Sequence, residues 1–199
     1  GCGKSTLLHV ISGLLMPARG CVRIDGRTVT RPSAKWNMMF QKASLYPWMT
    51  AEENASLGLI FAGEKKINAF RKVWPILEML GLKDNIHQKV QSLSGGQQQQ
   101  LSIGRVLVGN PRIMLLDEPS EGIQPNIVEQ IGEIIVKLRS EENLTVIIIE
   151  QNLKLIQACA DRCLVIDKGS IVALNQSNAE LNLSTEEQKN YKVYEKTIR

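Results

Sequence analysis

The sequence predicts an α/β fold, a mostly parallel sheet flanked by helices, on three observations. The apolar runs Ile113 to Leu116 and Val146 to Ile149 do not alternate with polar residues, which marks strands buried on both faces. Helical patterns separate the strand-like runs, as parallel pairing requires. The chain opens on Gly1-Cys2-Gly3-Lys4-Ser5-Thr6, a glycine-rich turn leading straight into an apolar-periodic helix.

From Ser5 to Leu14, residues Leu7, Leu8, Val10, Ile11 and Leu14 recur at helical spacing. Gly13 and Pro17 should stop that helix. Gly20 to Ile24, the Asp25-Gly26 pair and Arg27 to Val29 spell a short hairpin. Trp36 to Phe40 suits a strand, and Gln41 to Trp48, with Pro47 inside, suits a loop. From Thr50 to Leu82 the pattern is helical. Thr50 and Glu53 have the spacing of a capping box. A second amphipathic run covers Ala69 to Leu80, interrupted by Pro75, and Gly81 should end it.

A further helix is expected from Gly95 or Gly96 to Val108, then a strand from Arg112 to Leu116 and a helix from Ile127 to Leu138. Thr145 to Ile149 is rich in β-branched residues and reads as a strand. Leu153 to Ala160 is helical, and Cys163 to Ile166 is a third strand. Lys168-Gly169 turns that strand into Ser170 to Leu174. The polar tail from Asn175 is expected to end in a helix near Glu186 to Lys196. Gln97 to Gln100 is too short a run to be low complexity.

The 199 residues are 43% hydrophobic, 22% charged and 5% aromatic. That suits one domain, or one with a subdomain inserted, burying roughly 70% of the unfolded chain's surface. Ordinary apolar content and a net charge of +4 exclude a disordered class. No apolar stretch approaches a membrane span of ~20 residues. The charge is too mild to indicate nucleic acid and suits a mixed-charge surface. Cys2, Cys21, Cys159 and Cys163 form no CxxC pair and no metal-ligand spacing. They are expected to be buried thiols in a reducing cytoplasm.

Three constellations carry chemistry. In a phosphate loop, backbone N–H groups surround the phosphates, the Lys reaches the β and γ groups, and the next hydroxyl ligates Mg²⁺. Gly3, Lys4, Ser5 and Thr6 fit the second half of that pattern, with Gly1 and Cys2 before them. The full pattern places its first glycine about three residues ahead of Gly1, preceded by a strand, so the chain is read as starting inside the loop. Second, Ile113 to Leu116 ends in Asp117-Glu118. A strand end at the carboxyl edge of a sheet is where ligands bind. Asp117 suits Mg²⁺ and Glu118 suits a general base on water. Third, Leu93-Ser94-Gly95-Gly96-Gln97 brings a hydroxyl, two glycines and a helix N-terminus together, which lets backbone N–H groups approach a phosphate. The bland alternatives are a chance glycine turn, two solvated acids and an ordinary turn. His9 and His87 read as helix surface, Trp36 as core, and Trp48 as a residue open to a partner.

In combination these residues resemble the ATPase subunit of ATP-binding cassette transporters. Gly3-Lys4-Ser5-Thr6 matches the end of that family's Walker A motif. Leu93 to Gln97 matches its LSGGQ signature, Leu115 to Pro119 its Walker B motif with the catalytic Glu, and Gln41 its Q-loop glutamine. The resemblance runs from Gly1 to about Leu174. It implies a P-loop NTPase fold in four parts: residues 1–46 as the first core portion, 47–108 as a helical subdomain, 109–174 as the second core portion and 175–199 as a tail. The strands ahead of the loop would be missing. ATP and Mg²⁺ are implied, with Ser5, Gln41 and Asp117 on the metal. Two such chains, identical or sisters, would stack head to tail, each ATP lying between one chain's Walker motifs and the partner's Ser94, Gly95 and Gly96, with Gln97 beside them. The helical part would rest on membrane permease subunits at the cytoplasmic face, fed by an external solute-binding protein, with no role for nucleic acid.

The sequence departs from the family pattern at two places. The usual switch His is replaced by Gln151 within Glu150-Gln151-Asn152, and the loop after Walker B reads Ser120-Glu121-Gly122-Ile123-Gln124-Pro125, without the usual Asp. Both look like the urea and branched-chain amino acid importers, the branch this reading favours. Leu45-Tyr46-Pro47-Trp48-Met49-Thr50 instead resembles nitrate, sulfonate and taurine importers. A soluble, non-transport cassette ATPase and a catalytically inactive fragment are the remaining alternatives. With its loop incomplete, the chain is expected to hydrolyse little.

Overall fold

The computed structural model describes residues 3–142, 144–175 and 194–195. Gly1, Cys2 and most of the polar tail lie outside the described residues. Helix α1 (Lys4–Ser12) follows Gly3 and stops at Gly13, whose φ of 79° is left-handed. A Cβ on Gly13 would also sit 2.6 Å from the Arg31 carbonyl carbon, so space and dihedral both require glycine there. Strands β1 (Arg23–Ile24) and β2 (Arg27–Thr28) form the expected antiparallel hairpin. Asp25 and Gly26, at φ 50° and 74°, supply the positive angles its tight turn requires.

Strand β3 (Trp36–Met39) leads through the expected loop to α2 (Ala51–Phe61). The capping box is present in both directions: Glu53 N–H donates to Thr50 Oγ1 at 3.2 Å and Thr50 N–H to Glu53 Oε2 at 3.1 Å. Helix α3 (Lys66–Met79) corrects one expectation, since it runs through Pro75 without interruption. Ala69, Val73 and Leu77 are buried on both sides of the proline, and that continuous packed face outweighs the one backbone hydrogen bond a proline forfeits. Residues 86–91 then lie along 47–52: Ala51 N–H donates to Gln88 O, Val90 N–H to Met49 O and Gln91 N–H to Pro47 O. This strap leads into α4 (Gly95–Leu107).

The remaining elements are β4 (Ile113–Asp117), α5 (Pro125–Glu142), β5 (Thr145–Glu150), α6 (Leu153–Cys159), β6 (Cys163–Asp167), β7 (Ser170–Asn175) and β8 (Tyr194–Glu195). The main sheet has the order β3-β4-β5-β8-β6-β7. β3, β4 and β5 are parallel neighbours. β8 is antiparallel to both β5 and β6, so those two share one direction. β7 returns antiparallel beside β6. Residues 194–195 are therefore strand where the sequence suggested helix, and the rest of that predicted helix lies outside the described residues. The facing edges of β5 and β6 offer N–H and C=O groups that need partners, and this outweighs a weak local helical preference.

Both faces of the sheet are covered, as the non-alternating runs require. Met114, Leu116, Val146 and Ile148 join Ile131 and Ile135 of α5 in the largest core cluster. Their neighbours Leu115, Ile147 and Ile149 point the other way and pack with Leu8 of α1. Another cluster is built from buried residues between 51 and 108, among them Ala55, Val73, Leu77, Leu93 and Leu101, with Leu45 packed against it. Cys159 and Cys163 are buried as expected, whereas Cys21 is exposed, because it sits at the mouth of a two-stranded hairpin with no layer above it. Trp36 is half-buried and its Nε1 donates to Ser12 O at 2.8 Å. No helix among the described residues is long and apolar enough to cross a membrane.

Candidate functional site

Parallel pairing of β3, β4 and β5 delivers three chain segments to one carboxyl edge of the sheet. Gln41 follows β3, Asp117 and Glu118 end β4, and Gln151 follows β5. The N-terminus of α1 reaches the same edge. Gly3 enters it at φ 90°, and its carbonyl accepts the Leu7 N–H at 3.0 Å.

These groups converge on Glu118. Lys4 Nζ lies 2.5 Å from Glu118 Oε1. Gln151 Nε2 donates to the same oxygen at 2.6 Å, and Gln41 Nε2 donates to Oε2 at 3.1 Å. Burial pushes the Glu118 carboxyl up, but the hydrogen bonds from Lys4 and Gln151, the Lys4 charge and the Gln41 bond together pull it below the usual carboxylate value. Glu118 also sits at φ 47°, a left-handed angle that residues other than glycine rarely take, while its N–H still pairs with Ile149 O at 2.8 Å. The chain turns sharply off the strand here, and surrounding contacts hold the turn.

Asp117 behaves oppositely. It is 3% exposed, and its Oδ1 is buried with no hydrogen-bond partner. Burial raises its carboxyl above the usual value, the Ser5 hydroxyl bond works against that, and the neighbouring Glu118 charge adds to it. An orphaned carboxylate oxygen beside a hydroxyl is a hard-oxygen donor set, which fits Mg²⁺. Among the described residues no cluster of three or more His, Cys, Asp or Glu forms a metal site. The donors fit an ion that takes its other ligands from phosphate and water.

Two carboxylates that the sequence marked only as departures from the family pattern also join the cluster. Glu121 Oε2 accepts from Gln41 Nε2 at 2.8 Å, so one amide nitrogen bridges Glu118 and Glu121. Glu150, 3% exposed, accepts the N–H of Ser120 at 3.1 Å, of Gln151 at 2.7 Å and of Asn152 at 3.0 Å. An acid closing an otherwise apolar buried strand was the available signal for Glu150.

The signature segment makes its bonds elsewhere. Ser94 and Gln97 form a capping box at the start of α4, at 2.9 and 3.2 Å. The Ser-x-x-Gln spacing announces it. Gln97 Nε2 also donates to Asn85 Oδ1 at 3.1 Å. A Cβ on Gly96 would meet Ile127 Cγ2 at 2.9 Å, so α4 begins tight against α5. A Cβ on Gly95, by contrast, would meet only Ile123 Cδ1, at 4.0 Å. Thr6 is exposed, and Gly1 and Cys2 lie outside the described residues.

A second surface adjoins Gln41. Phe40, Leu57, Phe61, Ser102 and Arg105 line a cleft of about 300 Å³, and Phe61 and nearby Trp48 are 79% and 67% exposed. Arg105 donates to Ser44 O at 2.9 Å, and Ser102 Oγ to Ala43 O at 3.2 Å, which ties α4 to the loop after β3. A larger cavity of about 940 Å³ opens at the opposite edge of the sheet, where Trp36, Ile113 and Thr145 begin their strands. It holds none of the Glu118 cluster.

Residues 1–121 match the family described as ABC transporter. The chain is 33% identical over 166 residues to the taurine import ATP-binding protein TauB of Jannaschia sp., covering 83% of this chain and 62% of that one. It is 33% identical over 180 residues to the methionine import ATP-binding protein MetN of Carboxydothermus hydrogenoformans, covering 86% and 53%. It is 34% identical over 174 residues to the spermidine/putrescine import ATP-binding protein PotA of Protochlamydia amoebophila, covering 86% and 47%. The chain thus spans from about half to 62% of the length of these relatives. Among solved structures it resembles an ATP-binding cassette in a dimeric post-hydrolysis state bound to ADP and Pi, with a TM-score of 0.79, 29% identity, and coverage of 88% of this chain and 81% of that one. It also resembles the ADP conformation of an ABC transporter's cassette, with a TM-score of 0.78, 30% identity, and coverage of 95% and 79%.

Proposed function

The chain belongs to the ABC transporter family, and from that premise we propose that it is the ATP-hydrolysing part of an importer. The observation that carries this reading is the convergence of Lys4, Gln41 and Gln151 on Glu118, beside the Ser5–Asp117 pair. Ser5 and Asp117 would hold Mg²⁺, with Gln41 joining them. Mg²⁺, when bound, neutralises phosphate charge.

With Lys4, Gln151 and Gln41 bonded to it, Glu118 is a weak base, because its donors favour the ionised form. When Lys4 turns from Glu118 to a phosphate, its ion pair with the carboxylate is lost. The proton affinity of Glu118 then rises toward what a general base needs. Gln151, at the switch position, keeps one oxygen of Glu118 oriented and brings no positive charge of its own. The base is thus restrained until a phosphate competes for Lys4.

Residues 47–108 act as the helical subdomain, and the apolar cleft at Phe40, Leu57 and Phe61 receives the permease. Ser94, Gly95, Gly96 and Gln97 present an exposed helix start to the ATP of a second ATPase subunit. The protein then sits peripherally on the cytoplasmic face of the membrane.

The solute is small and polar. Glu150-Gln151 and Glu121-Gly122-Ile123-Gln124-Pro125 resemble the urea and amino acid importers, whereas the relatives found import taurine, methionine and spermidine/putrescine rather than urea or branched-chain amino acids specifically. The segment Leu45 to Thr50, together with the taurine relatives, supports a sulfonate-type solute as the second reading. ATP-dependent phosphate release by the protein in its complete natural reading frame, with and without co-expressed permease, tests the proposal. Turnover lowered by roughly a hundredfold or more in Glu118→Gln is expected, and turnover indifferent to that change would refute the assignment.

A further inference from the structure

Glu150 uses both carboxylate oxygens on backbone. Oε1 accepts the Gln151 and Asn152 N–H groups at 2.7 and 3.0 Å, and Oε2 accepts the Ser120 N–H at 3.1 Å. The two loops it joins are the one leaving Glu118 and the one carrying Gln151. The Gln151 amide closes the circuit by donating to Glu118 Oε1 at 2.6 Å. Glu118, Ser120, Glu150 and Gln151 therefore form a ring of contacts whose buried hub is Glu150, at 3% exposure.

We propose that Glu150 is a positioning residue for ATP hydrolysis, acting through Gln151 and through the backbone of the Glu118–Gly122 turn. This rests on the ATPase reading above. A carboxylate accepts on both oxygens and donates on neither, so it can hold N–H groups from two sides at once. A neutral amide of the same size has one accepting oxygen. Glu150→Gln must face its NH₂ toward Ser120 or toward the Gln151–Asn152 pair, leaving buried donors opposed on one side. Either way the two loops uncouple, and the Gln151 amide loses its fixed reach to Glu118. Misplacement on an ångström scale is enough to slow a reaction substantially.

The test compares wild type, Glu150→Gln, Gln151→Ala and the double variant in the complete natural protein. The measurements are steady-state ATP turnover, equilibrium nucleotide binding, and amide hydrogen exchange of peptides containing Ser120 and Gln151–Asn152. Glu150→Gln is expected to lower kcat roughly tenfold, to leave the nucleotide Kd within about twofold, and to lose exchange protection in one of the two loops. The double variant should be no slower than the slower single, because Glu150→Gln already disrupts the Gln151–Glu118 contact that Gln151→Ala removes. If Glu150→Gln does not fold, Glu150→Asp replaces it. It keeps the two acceptors but draws them back by one methylene, and the same loss of kcat with retained binding is expected. Wild-type kcat in the substituted protein, or losses that multiply in the double variant, would overturn the proposal. A wild type that turns over no ATP overturns the ATPase reading and this proposal with it, so the two failures are distinguishable.

Discussion

Lys4 Nζ stands 2.5 Å from Glu118 Oε1, so the lysine that opens α1 and the glutamate that follows β4 neutralise each other. Glu121 and Glu118 share the Gln41 amide in the same region. Glu118 is thus held on both oxygens, by Lys4 and Gln151 on one and by Gln41 on the other.

Removing the proposed base without changing its shape separates binding from chemistry. Glu118→Gln should lower turnover by roughly 10²–10⁴-fold, the range for loss of a positioned general base. Nucleotide affinity should hold or improve, because Lys4 is released from its carboxylate partner. Single-turnover phosphate release alongside equilibrium binding reads both quantities.

Asp117→Asn should stabilise the protein while abolishing its Mg²⁺-dependent activity. The buried Oδ1 has no partner and burial raises this carboxyl, so its charge opposes folding. A gain on the order of 1 kcal/mol is expected at neutral pH. Thermal unfolding without metal checks the gain, and a lower midpoint would contradict the account.

The two neighbouring carboxyls give opposite pH signatures. Glu118 is lowered from 4.5, so its stabilising contribution is full above that value and is lost as pH falls through the lower folded value. Asp117 is raised from 3.8, so its cost is present above the raised value and is relieved as pH falls through it. The advantage of wild type over Glu118→Gln in urea denaturation should therefore shrink in acid. The advantage of Asp117→Asn over wild type should shrink as well, as pH falls through the raised Asp117 value.

Gln151 serves by donating one hydrogen bond to Glu118, at 2.6 Å. An imidazole can donate in its place, so Gln151→His should keep turnover within about threefold. Gln151→Ala should lose more. A His variant as slow as Glu118→Gln would show that the amide is specifically required.

Two glycines separate dihedral strain from steric exclusion. At Gly63, with φ 93°, an added Cβ would have nothing within 4 Å, whereas at Gly13 it would meet Arg31 backbone at 2.6 Å. Gly63→Ala should cost about 1–2 kcal/mol, the left-handed penalty alone. Gly13→Ala should cost about 1–3 kcal/mol more through the clash. Equal losses in denaturant titrations would show that the Arg31 segment gives way freely.

Much of this protein is legible locally. Strand and helix periods, the Asp25-Gly26 turn, the Thr50 box and the glycine-rich entry to α1 each depend on residues within one turn or one pleat, so spacing alone reveals them. The chemistry-bearing types Lys4, Ser5, Asp117 and Glu118 were recognisable for the same reason. Spacing was silent wherever a neighbour distant in the chain set the outcome. Pro75 stays helical because a packed face spans it, Tyr194–Glu195 is strand because two edges need partners, and Cys21 is exposed because its hairpin is uncovered. Above all, the meeting of Gln41, Glu118, Glu121 and Gln151, and the hub at Glu150, arise from parallel strand order and register. Periodicity reports what a residue faces in general. Only the assembled sheet decides which distant side chains share one edge.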